Sequence, residues 1–338
     1  MRQAILYGAG DLRLEEHPFP TGRLLADQAL VQTEVTALST GTDLGNYLGD
    51  SLHVPGAPPY PRTIGYSNVG IVQRTGPEFS GPKAGERVFS MRPHQSAFVA
   101  GSNELLVRIP DSVSSEQASL AYLTQLGLAA LRQARYEAGE DVVVVGLGVI
   151  GLCTVALARA MGAHVIGIGN APVRASAALK VGAHAAYDSS DRELADRVQA
   201  EFRGSSADIV VLTANTWESW RLSMELVRYA GRVSVLGFPG RAQGAPQFNP
   251  LDPAWLYGKQ LTILGAGWSP QIECSPADIR FNLRRNLEYI LKLMATRQLS
   301  IEPLISHRLP ARRMVEAYEL AKQHSKGLVA AIFDWRQE

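Results

Sequence analysis

The chain has 338 residues and a mass of 36.6 kDa, which is more than one hydrophobic core usually serves, so the sequence predicts two domains. Hydrophobic residues make up 46% and charged residues 19%, proportions that are typical of a folded globular protein and exclude general disorder. The formal charge of +1, the lack of an apolar run long enough to span a bilayer and the lack of a signal-peptide pattern lead us to expect a cytoplasmic protein with no nucleic-acid and no membrane partner.

The first 110 or so residues are predicted to be rich in β-structure. Short apolar runs at Ala29 to Val35, Val69 to Gln73 and Arg87 to Ser90 are separated by clusters of glycine and proline. Short, closely spaced strands of this kind indicate a small barrel or a distorted sandwich.

The pattern changes after Pro110. A hydroxyl residue, Ser114, precedes Glu116 and Gln117 and then an apolar stretch, which is typical of a helix start. Apolar strand-like runs then alternate with helical segments, and this alternation predicts a parallel sheet covered on both faces. The predicted strands are Val142 to Val145, Val165 to Ile168, Ile209 to Thr213, Arg232 to Leu236 and Leu261 to Gly265; the predicted helices are Val149 to Met161, Val173 to Val181, Arg192 to Phe202 and Trp217 to Tyr229.

The clearest motif is a G-x-G-x-x-G turn that follows the strand ending at Val145. In this context Gly146 makes the tight turn, Gly148 lets the backbone approach a pyrophosphate, and Gly151 lets helix and strand pack closely. The amides of Val149 and Ile150 open the following helix and supply free N–H groups to an anion. The motif predicts a dinucleotide-binding site; the alternative is a strand-to-helix turn with no ligand.

The residues after the second strand of the parallel sheet indicate which dinucleotide binds. An acidic residue there would bind the ribose 2′-hydroxyl of NAD, but no Asp or Glu occurs between Asp141 and Asp188. Asn170 and Arg174 stand just past the strand instead, and Arg174 can pair with a 2′-phosphate. We therefore expect NADP(H) rather than NAD(H); the alternative is that Arg174 is an ordinary exposed helix residue.

These motifs resemble those of the medium-chain dehydrogenases/reductases, the superfamily of zinc alcohol dehydrogenases and quinone reductases. The resemblance implies an α/β protein with a GroES-like catalytic domain at 1–115, completed by 285–338, and a Rossmann NADP(H)-binding domain at 116–284. It further implies a small-molecule substrate bound between the domains and a homodimer. The matching segments are spread over nearly the whole chain: Ser39-Thr40-Gly41-Thr42-Asp43, Ile64-Gly65-Tyr66-Ser67-Asn68-Val69-Gly70, Ala84-Gly85-Glu86-Arg87-Val88, the nucleotide turn, Gly231-Arg232-Val233 and Pro303-Leu304-Ile305-Ser306-His307-Arg308.

The sequence departs from this superfamily at its zinc sites. The positions of the three catalytic zinc ligands are occupied by Thr40, Tyr66 and, near the third, Leu123, none of which is a suitable ligand. Cys153 and Cys274 are the only cysteines, so the structural zinc lobe with its four cysteines is absent as well. We therefore expect a member of the superfamily that binds no zinc.

Without a metal, hydride transfer needs a hydrogen-bond donor or a general acid at the same place. The candidates are Thr40, Thr42, Asp43 and Tyr66, of which Thr42 occupies the position of the family's proton-relay hydroxyl. Alternative roles remain open: Tyr66 as a packing aromatic that fills the space of the zinc, Thr42 as a helix cap, and Asp43 as a brace of its loop.

A narrower similarity links the Ser-Thr-Gly-Thr-acid and Gly-Tyr-x-x-Val-Gly segments to zinc-lacking members such as bacteriochlorophyllide a dehydrogenase, although Ser67 stands where a glutamate is expected. The leading hypothesis is an NADP(H)-dependent, zinc-independent oxidoreductase that acts on a secondary alcohol or ketone in a biosynthetic pathway. Two alternatives are an enone or quinone C=C reductase and a nucleotide-binding protein without catalysis.

Overall fold

The computed structural model describes residues 1–19, 22, 24–49, 58–241, 243–267, 269, 281–325 and 327–336; Cys274 lies outside them. The chain divides into two compact units. The first comprises Met1–Tyr122, Gln271–Arg297 and Ile305–Glu338, and the second comprises Leu123–Pro270 and Gln298–Leu304. The domain bounds predicted from the sequence stay a prediction.

The first unit is built on β-structure, as its short apolar runs predict. Its smaller sheet is antiparallel and consists, in spatial order, of β2 (Asp11–Glu16), β1 (Arg2–Gly8) and β4 (Arg62–Thr63). Its larger sheet is mixed and consists, in spatial order, of β15 (Ile305–Pro310), β16 (Ala330–Asp334), β3 (Gln28–Ala37), β5 (Asn68–Thr75), β6 (Arg87–Ser90) and β8 (Val107–Arg108), with β7 (Ala97–Gly101) paired to β3. The helices of this unit are α1 (Thr42–Leu48), α2 (Ser115–Ser119), α9 (Leu283–Ala295) and α10 (Met314–Lys322).

The second unit contains a parallel sheet of six described strands. In spatial order these are β11 (Ala185–Asp188), β10 (His164–Gly169), β9 (Asp141–Val145), β12 (Ala207–Leu212), β13 (Val227–Val235) and β14 (Thr262–Gly265). The strand order reverses between β9 and β12, which is the arrangement of a Rossmann sheet. The helices are α3 (Ala121–Gln133), which begins in the first unit, α4 (Val149–Ala160), α5 (Pro172–Lys180), α6 (Leu194–Glu201), α7 (Trp217–Leu226) and α8 (Pro253–Leu256).

The local sequence explains most of these element bounds. Val142, Val143 and Val144 of β9 are fully buried, as expected for a strand covered on both faces. The Ser114 hydroxyl accepts a 3.1 Å hydrogen bond from the Gln117 amide and caps α2, which confirms the predicted helix start. The helix predicted to reach Tyr229 is wrong at its end, because β-branched Val227 begins β13. Among the described helices, none is both long enough and apolar enough to cross a membrane.

Candidate active site

The turn between β9 and α4 places glycines where a side chain would clash. Gly146 has a φ of +103°, and a Cβ there would lie 2.6 Å from Thr213 Oγ1. The Thr213 hydroxyl donates a 2.7 Å hydrogen bond to the Gly146 carbonyl. A Cβ at Gly151 would lie only 1.8 Å from the same carbonyl oxygen. Gly146 and Gly151 therefore close the turn and hold the helix against the strand.

Gly148 has the opposite surroundings. A Cβ at this position would meet no atom within 4 Å, and Gly148 is the N-cap residue of α4 with no side-chain cap hydrogen bond. The amides of Val149 and Ile150, in the first turn of the helix, have no partner within the helix. Open space above an uncapped helix N-terminus fits the pyrophosphate of a dinucleotide, which these backbone groups would hold.

Arg174 lies in the first turn of α5, directly after the second strand of the Rossmann order, β10. Its Nε atom is buried and has no hydrogen-bond partner among the described residues, and burial lowers the pKa of its guanidinium. Asn170, which ends the same connection, is exposed. A buried guanidinium nitrogen without an acceptor favours an anionic ligand here, as the 2′-phosphate of NADP(H) would be.

The predicted catalytic residue Thr40 lies in the short connection from β3 to α1, and Thr42 and Asp43 are the first two residues of α1. Asp43 is 1% exposed, and its Oδ2 accepts a 3.0 Å hydrogen bond from the Ser39 amide, which braces the loop. Thr42 is exposed and Thr40 is half-buried. Gly41 is the N-cap residue of α1 and no side-chain cap hydrogen bond forms, so the Thr42 hydroxyl does not cap the helix.

The electrostatic surroundings of Asp43 and Tyr66 connect the two residues. Burial raises the pKa of Asp43 to about 7, although the backbone amides of Ser39 and Gly65 lower it. Burial and then the charge of Asp43 raise the pKa of Tyr66 above its ordinary value, whereas the hydroxyls of Ser39 and Thr42 lower it. The structure thus brings Thr42, Asp43 and Tyr66 together around a phenol that stays protonated at neutral pH. Among the described residues, Thr40 neither raises nor lowers the pKa of Asp43 or the pKa of Tyr66.

Two further residues border this cluster, and the sequence analysis missed both. The His94 ring packs so closely on Gly65 that a Cβ there would lie 2.7 Å from His94 Nε2, and burial lowers the pKa of His94 to about 3. Burial and then the charge of Asp43 raise the pKa of Tyr318 on α10. Neither residue stands in a motif, so no local signal identifies them.

Asp43 Oδ1, His94 Nε2 and Tyr318 Oη are among the buried polar atoms of this cluster that have no hydrogen-bond partner within the described residues. His94 Nδ1 lies 2.8 Å from Thr36 Oγ1, which accepts a hydrogen bond from Trp335 Nε1. The Thr36 hydroxyl has one hydrogen and two acceptor lone pairs, so it pairs with His94 Nδ1 in either neutral tautomer of the imidazole. A neutral imidazole fixed in this way adds no charge beside Asp43.

The donor set around Tyr66 does not fit a catalytic zinc ion. A catalytic zinc needs three nitrogen, sulfur or carboxylate ligands, but Thr40 and Tyr66 occupy two of the expected positions and Leu123 stands near the third. Within the described ranges, no group of three or more His, Cys, Asp and Glu side chains could hold a metal ion. Cys153 is buried in α4, where burial raises the pKa of its thiol to about 12.

Comparison with known proteins identifies similar dehydrogenases and reductases. The family model for zinc-binding dehydrogenases matches residues 149–281. Sorbitol dehydrogenase of Rattus norvegicus is 23% identical over 357 residues, covering 94% of this chain and 92% of the relative. Quinone oxidoreductase of Mus musculus is 25% identical over 272 residues, covering 78% of this chain and 76% of the relative. The structure of galactitol-1-phosphate dehydrogenase from Escherichia coli superposes with a TM-score of 0.81 at 19% identity, covering 99% of this chain and all (100%) of that one.

Over most of its length the chain is similar to zinc-type medium-chain dehydrogenases/reductases. The resemblance inferred from its motifs is thereby confirmed, and so is the predicted combination of a GroES-like fold with a Rossmann fold. The expectation that this member binds no zinc stays a prediction.

Proposed function

We propose that the protein is an NADP(H)-dependent, zinc-independent oxidoreductase that transfers a hydride between the nicotinamide and a secondary alcohol or ketone. The matched sorbitol and galactitol-1-phosphate dehydrogenases are named for substrates with hydroxyl groups, which supports alcohol chemistry. The narrower similarity to zinc-lacking members supports a role in a biosynthetic pathway.

The arrangement around Tyr66 supports this activity most directly. In zinc-dependent members, the metal polarises the carbonyl oxygen of the substrate. Here the phenol of Tyr66 stands at one zinc-ligand position, and its raised pKa keeps the O–H group available as a donor at neutral pH. A donor held at the developing alkoxide lowers the barrier to hydride transfer.

The neighbouring groups complete the movement of the proton. A bound nicotinamide would supply the hydride to the carbonyl carbon. Tyr66 donates its phenolic proton to the carbonyl oxygen, and the Tyr66 O–H bond breaks as that proton is transferred. Asp43, with a pKa of about 7, is partly protonated at neutral pH and returns a proton to the phenolate. Thr42 is exposed, so its hydroxyl provides a path for exchange with solvent. One ketone, one NADPH and one proton give one alcohol and one NADP⁺.

Two features support the choice of cofactor. The turn at Gly148 is open for a pyrophosphate, and the buried Arg174 Nε has no acceptor among the described residues at the place where a 2′-phosphate would bind. Because no carboxylate occurs between Asp141 and Asp188, nothing in that stretch repels the phosphate. The family resemblance implies a homodimer, and the edge strand β14, which pairs only with β13 in the described sheet, is where we expect a second copy to pair. Light scattering measures the molar mass in solution and tests whether the protein is a dimer.

A second candidate is reduction of an activated C=C bond in an enone or quinone. The similarity to quinone oxidoreductase of Mus musculus favours it, and this chemistry also proceeds without zinc. Turnover with NADPH deuterated at C4 separates the two reactions. Deuterium at a carbinol carbon supports the leading proposal, whereas deuterium at a β-carbon supports C=C reduction.

The Tyr66→Phe variant tests the proposed chemistry. We expect kcat for ketone reduction to fall about 100- to 1000-fold, the usual effect of removing one oxyanion donor, with NADPH affinity unchanged. Tyr122→Phe is the matched control, because its ring packs at 5.3 Å against Tyr66 in an edge-to-face contact. Wild-type turnover by the Tyr66→Phe variant would exclude the donor role, and stoichiometric zinc in the purified protein would exclude the zinc-independent mechanism.

A further inference from the structure

Gln125 of α3 carries a buried amide whose nitrogen, but not its oxygen, has a hydrogen-bond partner among the described residues. The residue is 1% exposed, and its Nε2 donates a 2.6 Å hydrogen bond to Ser269 Oγ. Its Oε1 is buried and has no hydrogen-bond partner in the described part of the chain. Native proteins rarely leave a buried acceptor unpaired, so such an atom indicates a ligand or a bound water.

The packing of α3 on β13 locates this oxygen relative to the sheet. The Ser234 hydroxyl donates a 3.0 Å hydrogen bond to the Ala130 carbonyl, and Arg232 Nη1 donates to Ala134 O, so helix and strand run antiparallel. Gln125 lies five residues before Ala130, or about 7.5 Å along the helix. That length equals about two strand residues, which places Gln125 just past the carboxyl end of β13.

The contacts around Gly267 agree with this position of Gln125. A Cβ at Gly267 would lie 2.7 Å from Leu236 Cδ1 and 4.0 Å from Leu126 Cδ2. Leu236 directly follows β13, and Gly267 lies two residues beyond β14. Gln125 and Ser269 therefore lie beside the carboxyl ends of the two strands on the β14 side of the sheet.

The strand order assigns the two halves of a dinucleotide to the two sides of this edge. The pyrophosphate lies at the turn after β9, and the adenosine half extends towards β10 and Arg174. The nicotinamide half must then extend over the carboxyl ends of β12, β13 and β14. Gln125 and Ser269 stand on this side.

We propose that Gln125 is a nicotinamide-binding residue whose Oε1 accepts a hydrogen bond from the carboxamide N–H of the cofactor. This inference rests on the proposed function, because it requires a nicotinamide dinucleotide at the sheet. Ser269 holds the Gln125 amide so that the oxygen faces the ligand. A hydrogen bond at the carboxamide fixes the rotation of the ring and hence the face from which hydride leaves.

The test uses a cofactor that lacks this N–H donor. In the acetylpyridine analogue of NADP⁺ a methyl group replaces the amide nitrogen and the carbonyl remains. Equilibrium dissociation constants of NADP⁺, the analogue and 2′-phospho-ADP-ribose are measured for the wild type, Gln125→Leu and Gln125→Glu. Gln133→Leu is the matched control, because Gln133 is exposed on the same helix.

We expect the wild type and Gln133→Leu to bind NADP⁺ about three- to tenfold more tightly than the analogue. Gln125→Leu is expected to bind the two equally, with the affinity for 2′-phospho-ADP-ribose unchanged, and Gln125→Glu, which keeps an acceptor oxygen, retains the preference. An undiminished preference in Gln125→Leu, or no preference in the wild type, would overturn the inference while leaving the proposed function intact. Failure of the wild type to bind any of the three ligands would overturn both. If Gln125→Leu also loses affinity for 2′-phospho-ADP-ribose, Gln125→Met is measured in its place. Loss of the preference for NADP⁺ over the analogue in Gln125→Met supports the inference, and an undiminished preference overturns it.

Discussion

The nucleotide turn at Gly146–Gly151 and the polar cluster at Asp43 are organised in different ways. At the turn, the missing side chains of Gly146 and Gly151 let strand and helix approach, and the open space at Gly148 is left beside them. In the cluster, charged and polar side chains are buried, and Asp43 Oδ1, His94 Nε2 and Tyr318 Oη have no hydrogen-bond partner among the described residues.

This difference predicts opposite relations between function and stability. At the turn, the same glycines that prepare a ligand site also allow the fold, so most substitutions there harm both. In the cluster, burial of an ionisable carboxyl opposes folding once it is charged. Substitutions that damage the chemistry of the cluster are therefore expected to stabilise the protein, as is common where strained or unpaired groups serve function.

The largest expected effect is on folding and follows from Gly151→Ala. Its Cβ would lie 1.8 Å from a backbone oxygen, which cannot move without opening the turn. We expect the free energy of unfolding to fall by more than about 4 kcal/mol, measured by urea denaturation. A variant with nearly wild-type stability would show that the turn does not depend on this close approach.

The next effect has the opposite sign and concerns Asp43→Asn. The pKa of Asp43 is raised from 3.8 to about 7, so between these values the folded state binds more protons than the unfolded state. The stability due to the protonated carboxyl is therefore present below about pH 4 and is lost as the pH rises through about 7. At about 1.4 kcal/mol per pKa unit, the loss is at most about 4 kcal/mol. We expect Asp43→Asn to be more stable than the wild type by a few kcal/mol at pH 8.

The difference in the free energy of unfolding between Asp43→Asn and the wild type tests this prediction. The difference is used because His94 is present in both proteins and changes their stability with pH in the opposite sense. Its lowered pKa contributes stability that is lost as the pH falls from about 6.5 to about 3. Urea denaturation at several pH values from 4 to 8 should show the gain of Asp43→Asn growing up to about pH 7 and then remaining constant. A gain that does not change with pH would show that Asp43 is not buried as a titrating acid.

A smaller effect is expected at the other end of the dinucleotide. Arg174→Gln removes the guanidinium that we assign to the 2′-phosphate, and we expect NADPH affinity to fall about 10- to 100-fold while NADH affinity stays unchanged. Fluorescence titration measures both constants. Lys180→Gln, an exposed position on α5, is the control. Equal losses for the two cofactors would mean that Arg174 stabilises the helix rather than binding the phosphate.

The smallest expected effect separates binding from folding within the turn itself. Gly148→Ala places a Cβ in open space, so we expect the free energy of unfolding to change by less than about 0.5 kcal/mol. The same methyl group projects where a pyrophosphate would approach, and we expect NADPH affinity to fall about tenfold, or about 1.4 kcal/mol. Unchanged affinity would place the pyrophosphate elsewhere.

Much of the fold could be predicted because its signals are local. The apolar runs of β9 and β10, the glycine turn and the Ser114 cap each depend on neighbouring residues, and each is confirmed at nearly the expected bounds. The end of α7 could not be predicted, because Val227 continues the apolar pattern of the helix while pairing as a strand with β12. That choice depends on a partner strand distant in sequence.

The sequence by itself indicated the class of the protein and the zinc-independent chemistry that we propose, since Thr40 and Tyr66 stand at two zinc-ligand positions and Leu123 stands near the third. Only the tertiary structure decided that Asp43 is buried beside Tyr66 and that His94 and Tyr318 border it. It also decided that the Gln125 side-chain oxygen has no partner within the residues that the structure describes. The reason is physical: residue identity fixes which groups can donate, accept or ligate, whereas desolvation and the loss of hydrogen-bond partners arise from packing between segments far apart in the chain.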